Sequence, residues 1–222
     1  MRYLHHSEAG AAHITLESDA YRYLIKVRRH RAGDQVALRS GADELIHHYT
    51  IDSVDRRTAI LTLLHSEMLP VSARRPLHIG WCMIDPKSIE KVLPSLNEIG
   101  VAGITFIDCE RSQKNFRLDF ARWEKILLNS SQQCGRSQPM TLDHTTSIAA
   151  FLTDHPEAHL LHFSENRLDN NTEVRTVIVG CEGGFTDAET TLFTPGNIVG
   201  LETSMILRSE SAAVAVASRV LL

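Results

Sequence analysis

The chain has 222 residues, 43% of them hydrophobic and 23% charged, with a formal net charge of -4. That is enough for one large or two modest domains with an ample core. No apolar run approaches the length of a membrane span, and Met1-Arg2-Tyr3-Leu4-His5-His6 does not read as a signal peptide, so a membrane-spanning or secreted protein is set aside and a cytoplasmic one expected.

In chain order, the first expected element is a short helix capped by Ser18 and running through Val27. Its i, i+4 and i+3 spacing places Arg22, Lys26 and Arg29 close to one face. Arg22 through Arg31 contains no acid at all. A solvated helix face and a contact with a phosphate backbone are both open readings. Strand-like runs follow at Gln35–Arg39, Leu45–Val54 and Thr58–Leu64, separated by Gly41-Ala42 and Asp55-Arg56-Arg57. They read as a small β-rich domain covering residues 1–70.

From residue 71 to 222 strands alternate with helices, the signature of an α/β domain with a mostly parallel sheet. Leu77–Met83 reads as a strand and Pro86–Ile99 as a helix after Asp85, with proline in its first turn. Gly103–Ile107 is a strand and Asp119–Gln133 an amphipathic helix. Ala158–Phe163, Arg175–Val179 and Asn197–Leu201 are further strands, and Ser211–Leu222 is a closing helix rich in alanine and valine.

Two turns carry the chemistry. The β-branched run Val177-Ile178-Val179 breaks into Gly180-Cys181-Glu182-Gly183-Gly184-Phe185, and Thr186 with Glu189 has the spacing of a capping box. Gly183 and Gly184 let the backbone approach a ligand closely, and Glu182 between glycines must meet solvent, a partner or a ligand. The second turn is Ile206-Leu207-Arg208-Ser209-Glu210, where Ser209 is expected to be an N-cap. The glycine block lacks the Lys-Ser or Lys-Thr of a nucleotide phosphate loop and is no Gly-x-Gly-x-x-Gly fingerprint.

Histidine and cysteine are the candidate metal ligands. His5-His6 and His47-His48 are adjacent, and neighbours on a strand face opposite ways, so neither pair chelates through both rings. Cys82, Cys109, Cys134 and Cys181 are widely spaced with no Cys-x-x-Cys pair, so reduced thiols and no metal site are expected.

The two C-terminal blocks resemble the motifs of the RsmE family, rRNA methyltransferases of the SPOUT superfamily that modify N3 of a uridine in 16S rRNA. Asn97-Glu98-Ile99-Gly100-Val101, Glu110-Arg111-Ser112 and Gln132-Gln133-Cys134-Gly135-Arg136-Ser137 agree with it, in the family's order and over roughly the whole chain. The resemblance implies S-adenosylmethionine as cofactor, the small ribosomal subunit as partner, a homodimer, a C-terminal trefoil knot and a PUA-like N-terminal β-barrel. It assigns cofactor binding to Gly180, Glu182, Gly183, Gly184, Leu201, Met205, Ile206 and Leu207. Catalysis falls to Arg208, Glu182 and Glu210, and RNA binding to Arg22, Lys26, Arg29, Arg111, Gln133 and Arg136.

Arg208 suits a charge-stabilising role, since a fixed cation lowers the pKa of a neighbouring imide. An ion pair with Glu210 or Glu182 is its structural alternative. Arg111 is open between an RNA contact and a local ion pair, and Arg136 could instead complement a helix dipole. Departures from the family pattern are Glu202-Thr203 for the usual Leu-Gly, Met205 for a basic residue, Ser95 for a lysine and Cys181 for proline. The competing functions are a related methyltransferase of another rRNA or tRNA, and a non-catalytic RNA-binding assembly factor.

Overall fold

The computed structural model describes residues 3–113, 116–168 and 173–222. Two compact units divide the chain: one holds the residues through Ser72 and Leu128–Pro139, the other Ala73–Leu127 and Met140–Leu222.

The first unit is built on a five-stranded mixed sheet in the order β1-β3-β4-β5-β2, from β1 (Leu4–His5), β2 (His13–Leu16), β3 (Gln35–Arg39), β4 (Leu45–Val54) and β5 (Ala59–Met68). Among the described residues, only the β1–β3 pair of this sheet is parallel. Among the described residues no ladder joins β1 to β2. One face buries Leu16, Leu38, Tyr49, Ile51 and Leu61, as the alternation along β3 and β4 requires.

Arg39 is fully buried in this unit. Its guanidinium is held by backbone carbonyls, Nη1 donating to Glu44 O at 3.0 Å and Nη2 to Leu69 O at 2.6 Å, with the Tyr3 ring 5.4 Å away.

The basic segment departs from the expected helix. An α-helical turn, α1 (Ser18–Tyr21), continues as a π-helical turn over Arg22–Val27. Ser18 does not cap it: the residue stands at φ 50, and Glu17 is the N-cap without a side-chain bond. Arg29 lies beyond the helix end at φ 63, so Arg22 and Lys26 share the helical segment but Arg29 does not.

The second unit is a six-stranded sheet, wholly parallel, in the order β11-β9-β10-β6-β7-β8. Its strands are β6 (His78–Cys82), β7 (Gly103–Ile107), β8 (Thr141–Thr145), β9 (His159–Leu161), β10 (Thr176–Val179) and β11 (Ile198–Val199). The helices are α2 (Pro86–Ile99), α3 (Phe120–Cys134, whose last turns belong to the first unit), α4 (Ile148–Asp154), α5 (Asp187–Thr190) and α6 (Ser209–Leu221).

Asp85 caps α2 by accepting from Ser88 N, and Gly100 ends it at φ 111, a left-handed stop that favours glycine. The core is aromatic and aliphatic, with Trp81, Phe106, Trp123 and Ile79 without exposure. α6 buries Ala213, Val216 and Ala217 and packs on α2 and β10, so its apolar face is used within the unit.

The chain fills one side of the sheet with β6, β7 and β8, then crosses to β9 before β10 inserts beside β6. That places a topological switch point between β6 and β10. Ligands of parallel sheets bind outside the carboxyl ends of strands at such a point.

Candidate active site

Three loops leave the carboxyl ends of β9, β10 and β11 and meet around a cavity of about 610 Å³, within the usual range for small-molecule sites. The middle loop begins at Gly180, where an added Cβ would lie 3.1 Å from the Phe185 ring, and contains Gly184 at φ +66, a left-handed backbone that favours glycine. The capping box forms as its spacing requires: Thr186 Oγ1 accepts from Glu189 N, and Glu189 Oε2 from Thr186 N. The other oxygen of buried Glu189 accepts from Glu110 N at 2.9 Å. One carboxylate thus ties the loop after β10 to the loop after β7.

Ser209 is not the N-cap of α6. That position is Arg208, with no side-chain cap bond. Ser209 turns inward, accepting from Trp81 Nε1 at 2.9 Å and donating to Gly180 O. This pins the start of α6 to both β6 and the glycine loop.

The two sequence blocks do come together. Gly180, Glu182 and Gly184 line the cavity from one side; Leu201, Met205, Ile206, Leu207 and Arg208 line it from the other. Gly183 stands beside it, its carbonyl accepting from Arg111 Nη1 at 2.9 Å. A Cβ there would lie 3.1 Å from the Arg111 Cβ. Glu210 is in the first turn of α6 and is not a lining residue, where a carboxylate favours the helix dipole.

The segment after β9 was missed by sequence reasoning. Leu161, His162, Phe163 and Ser164 supply another wall together with Arg167. Arg167 is spent on backbone, donating to Ser164 O and Leu201 O. Arg208 is different. It is exposed to the cavity and, among the described residues, makes no salt bridge with Glu182, Glu210 or any other carboxylate. Among the described residues the structural ion pair is absent, and exposed Arg208 and exposed Glu182 both line the cavity.

Cys181 also faces this space, with its Sγ 3.8 Å from Cys109 Sγ. The hydrogen bond with Cys109, and then burial, push its thiol well above the usual range. For Cys109 the hydrogen bond with Cys181 lowers the pKa, but the contact with Cys82 and burial outweigh it and push the thiol up to about 12. Thiols held protonated in this way are poor nucleophiles.

The residues expected to bind RNA are spread over both units. Arg111 belongs to the second unit, engaged with Gly183. Arg22, Lys26, Arg29 and Gln133 are exposed residues of the first. Arg136, also in the first, donates from Nε to Gln138 O at 2.6 Å, and burial lowers its pKa.

Residues 72–221 match the model of an RNA methyltransferase domain. The ribosomal RNA small subunit methyltransferase E of Helicobacter pylori is 33% identical over 222 residues, covering 98% of each chain. The chain belongs to the ribosomal RNA small subunit methyltransferase E family. The fold agrees. A Legionella pneumophila protein solved with S-adenosylmethionine superposes with a TM-score of 0.79 at 24% identity, covering 98% of this chain and 94% of that one. The Neisseria gonorrhoeae ribosomal RNA small subunit methyltransferase E, also bound to S-adenosylmethionine, gives 0.79 at 18% identity, with 98% and 95% covered.

Proposed function

We propose that this chain methylates N3 of a uridine in the 16S rRNA of the small ribosomal subunit, using S-adenosylmethionine, as a cytoplasmic homodimer. The observation that carries this reading is the convergence of the two motif loops on one cavity, with an unpaired arginine at its edge. The residues present suit the cofactor. Phe185, Leu201, Ile206 and Leu207 offer apolar surface for a purine, the glycine backbone allows close approach, and Glu182 accepts hydrogen bonds from hydroxyl or amino groups. When bound, the cofactor supplies an electrophilic methyl group on a sulfonium.

The chain has the remaining tasks. Negative charge grows on the uracil as the imide proton leaves, and the fixed charge of the Arg208 guanidinium stabilises it. Glu182 is the exposed carboxylate of the cavity and is the group assigned to take that proton. Glu210 is left to the helix terminus.

In the same reading the first unit is a PUA-like RNA-docking domain whose cations Arg22, Lys26 and Arg29 meet phosphates, with Gln133 and Arg136 adding contacts to the RNA. The second is a knotted SPOUT domain. Exposure of Met205 at 71%, Ile206 at 84% and Leu222 at 82% supports an apolar dimer contact there.

Calorimetric titration with S-adenosylmethionine and with its demethylated product tests the cofactor assignment. One site per protomer is expected, and Gly183→Val should remove it by pushing on Arg111. Absence of both heat and thermal shift for either compound refutes it. The substrate is tested by mass spectrometry of 16S rRNA from a deletion strain, where loss of a single N3-methyluridine is expected.

A further inference from the structure

β4 and β5 pair antiparallel with His48 opposite His65 and His47 opposite Ser66. Because side chains alternate between faces, His48, His65 and Glu67 share one face of this hairpin. His47 goes to the other, where it bonds Ser66 Oγ at 2.8 Å. An adjacent histidine pair cannot chelate, but a cross-strand pair with a carboxylate two residues along can. A β-bulge lies at His48/Tyr49, the kind of irregularity that re-aims a side chain.

The donors are already gathered. One ligand atom from each of His48, His65 and Glu67 lies within 4.8 Å of the other two. His48 Nε2 is 3.1 Å from Glu67 Oε1, and the two imidazoles stack with centroids 4.6 Å apart and planes 10° from parallel. Around tetrahedral zinc, donor atoms stand about 3.3 Å apart, given bonds of about 2.0–2.1 Å. The His48–Glu67 edge is at that spacing now. His65 must turn its ring out of the stack with His48 so that its nitrogen points to the shared ion, a rotation open to an exposed side chain. It makes no hydrogen bond among the described residues, so the stack on His48 is the contact that changes.

The geometry points to a divalent transition-metal site of two imidazoles and one carboxylate on the outer face of the β4–β5 hairpin. Two nitrogens and one oxygen favour zinc-like ions over magnesium or calcium, which prefer all-oxygen shells. Exposure on the solvent side leaves the fourth position to water. The inference is independent of the methyltransferase reading, since none of the three residues is assigned to the cofactor, the chemistry or the RNA.

The test is calorimetric titration of the chelator-treated, full-length protein with zinc chloride, followed by cobalt(II) spectroscopy. The parent is expected to take up one zinc ion, and His65→Ala and Glu67→Gln should each weaken binding by about tenfold or more, as even disturbing a ligand's supporting contacts does. Both positions are exposed, so the variants should fold, and an unchanged far-ultraviolet spectrum checks this. Cobalt(II) should give tetrahedral visible bands with no thiolate charge-transfer band. The proposal is overturned if the parent binds no zinc, if either variant binds it as tightly as the parent, or if the cobalt spectrum reports thiolate ligation by the cysteines.

Discussion

Replacing Ser209 by alanine deletes one oxygen and unmakes two hydrogen bonds at the root of the cavity. Trp81 Nε1 belongs to a side chain with no exposure and loses its acceptor. A buried donor left unsatisfied costs about 1–3 kcal/mol. The Gly180 carbonyl loses a donor but lies in a partly accessible loop, so its loss adds about 1 kcal/mol. Together the variant should be about 2–4 kcal/mol less stable, which in a chain of this size lowers the melting temperature by about 5–15 °C. The protein has two tryptophans, Trp81 and Trp123, both buried in the second unit. Tryptophan fluorescence during urea unfolding therefore reports that unit alone. Because the same hydroxyl anchors the glycine loop, affinity for S-adenosylmethionine should fall along with stability. Trp81→Phe removes the donor from the other end, so Ser209→Ala should cost less in that background than in the parent, the coupling a double-mutant cycle measures. An unfolding midpoint that does not move, together with zero coupling, would refute the idea that Ser209 pins the site.

Arg208→Ala should lower single-turnover methylation by about 10²–10³-fold at saturating cofactor while changing cofactor affinity little, as expected for a charge felt in the transition state; a parental rate removes Arg208 from the mechanism. Neutralising Arg22, Lys26 and Arg29 together should weaken binding to small subunits and flatten the log–log salt dependence by about two, from fewer released counterions; an unchanged slope makes this segment a solvated surface. Burial, with the neighbouring His155, drops the His78 pKa from 6.5 to about 4, so the unfolded chain takes up the proton first as pH falls. The stability this residue contributes is complete above about pH 6.5, declines through the interval and is gone near pH 4, a loss of roughly 3 kcal/mol at most. Urea unfolding of parent and His78→Gln at pH 7 and pH 4 measures it as the difference between their two pH responses, and equal responses would contradict it.

What the sequence made legible followed local rules. β3, β4, α2 and β7 stand at the expected residues, because strong alternation, a β-branched run or a proline-and-aspartate helix start sets each one from within. β8 was missed for the opposite reason. Thr141–Thr145 is an edge strand with no buried residue, so no apolar pattern marks it. β1 and β2 have two and four residues, too short for a period to show. The return of Leu128–Pro139 to the first unit is invisible for a third reason. It rests on contacts far apart in sequence, such as His5 N donating to Gln132 Oε1 and Val71 N to Ser137 Oγ, and a sequence pattern encodes no such pairing.

The site divides along the same line. Its two motif loops were readable because glycine, glutamate and arginine at strand ends have few structural reasons to be there. Their supports were not, because each works through a partner distant in the chain. Ser209 in isolation is an ordinary helix-start serine, and only the position of Trp81, 128 residues away, turns it inward. Glu189 was visible as half of a capping box, a local role, yet its second oxygen holds the loop after β7, a role that exists only in three dimensions. His48 shows the same effect on the first unit. Beside His47 it looks incapable of chelation, and the strand pairing, not the sequence neighbour, supplies its companions. The two motif loops can thus be read from the residues they contain, while the residues that hold those loops must be read from what they touch.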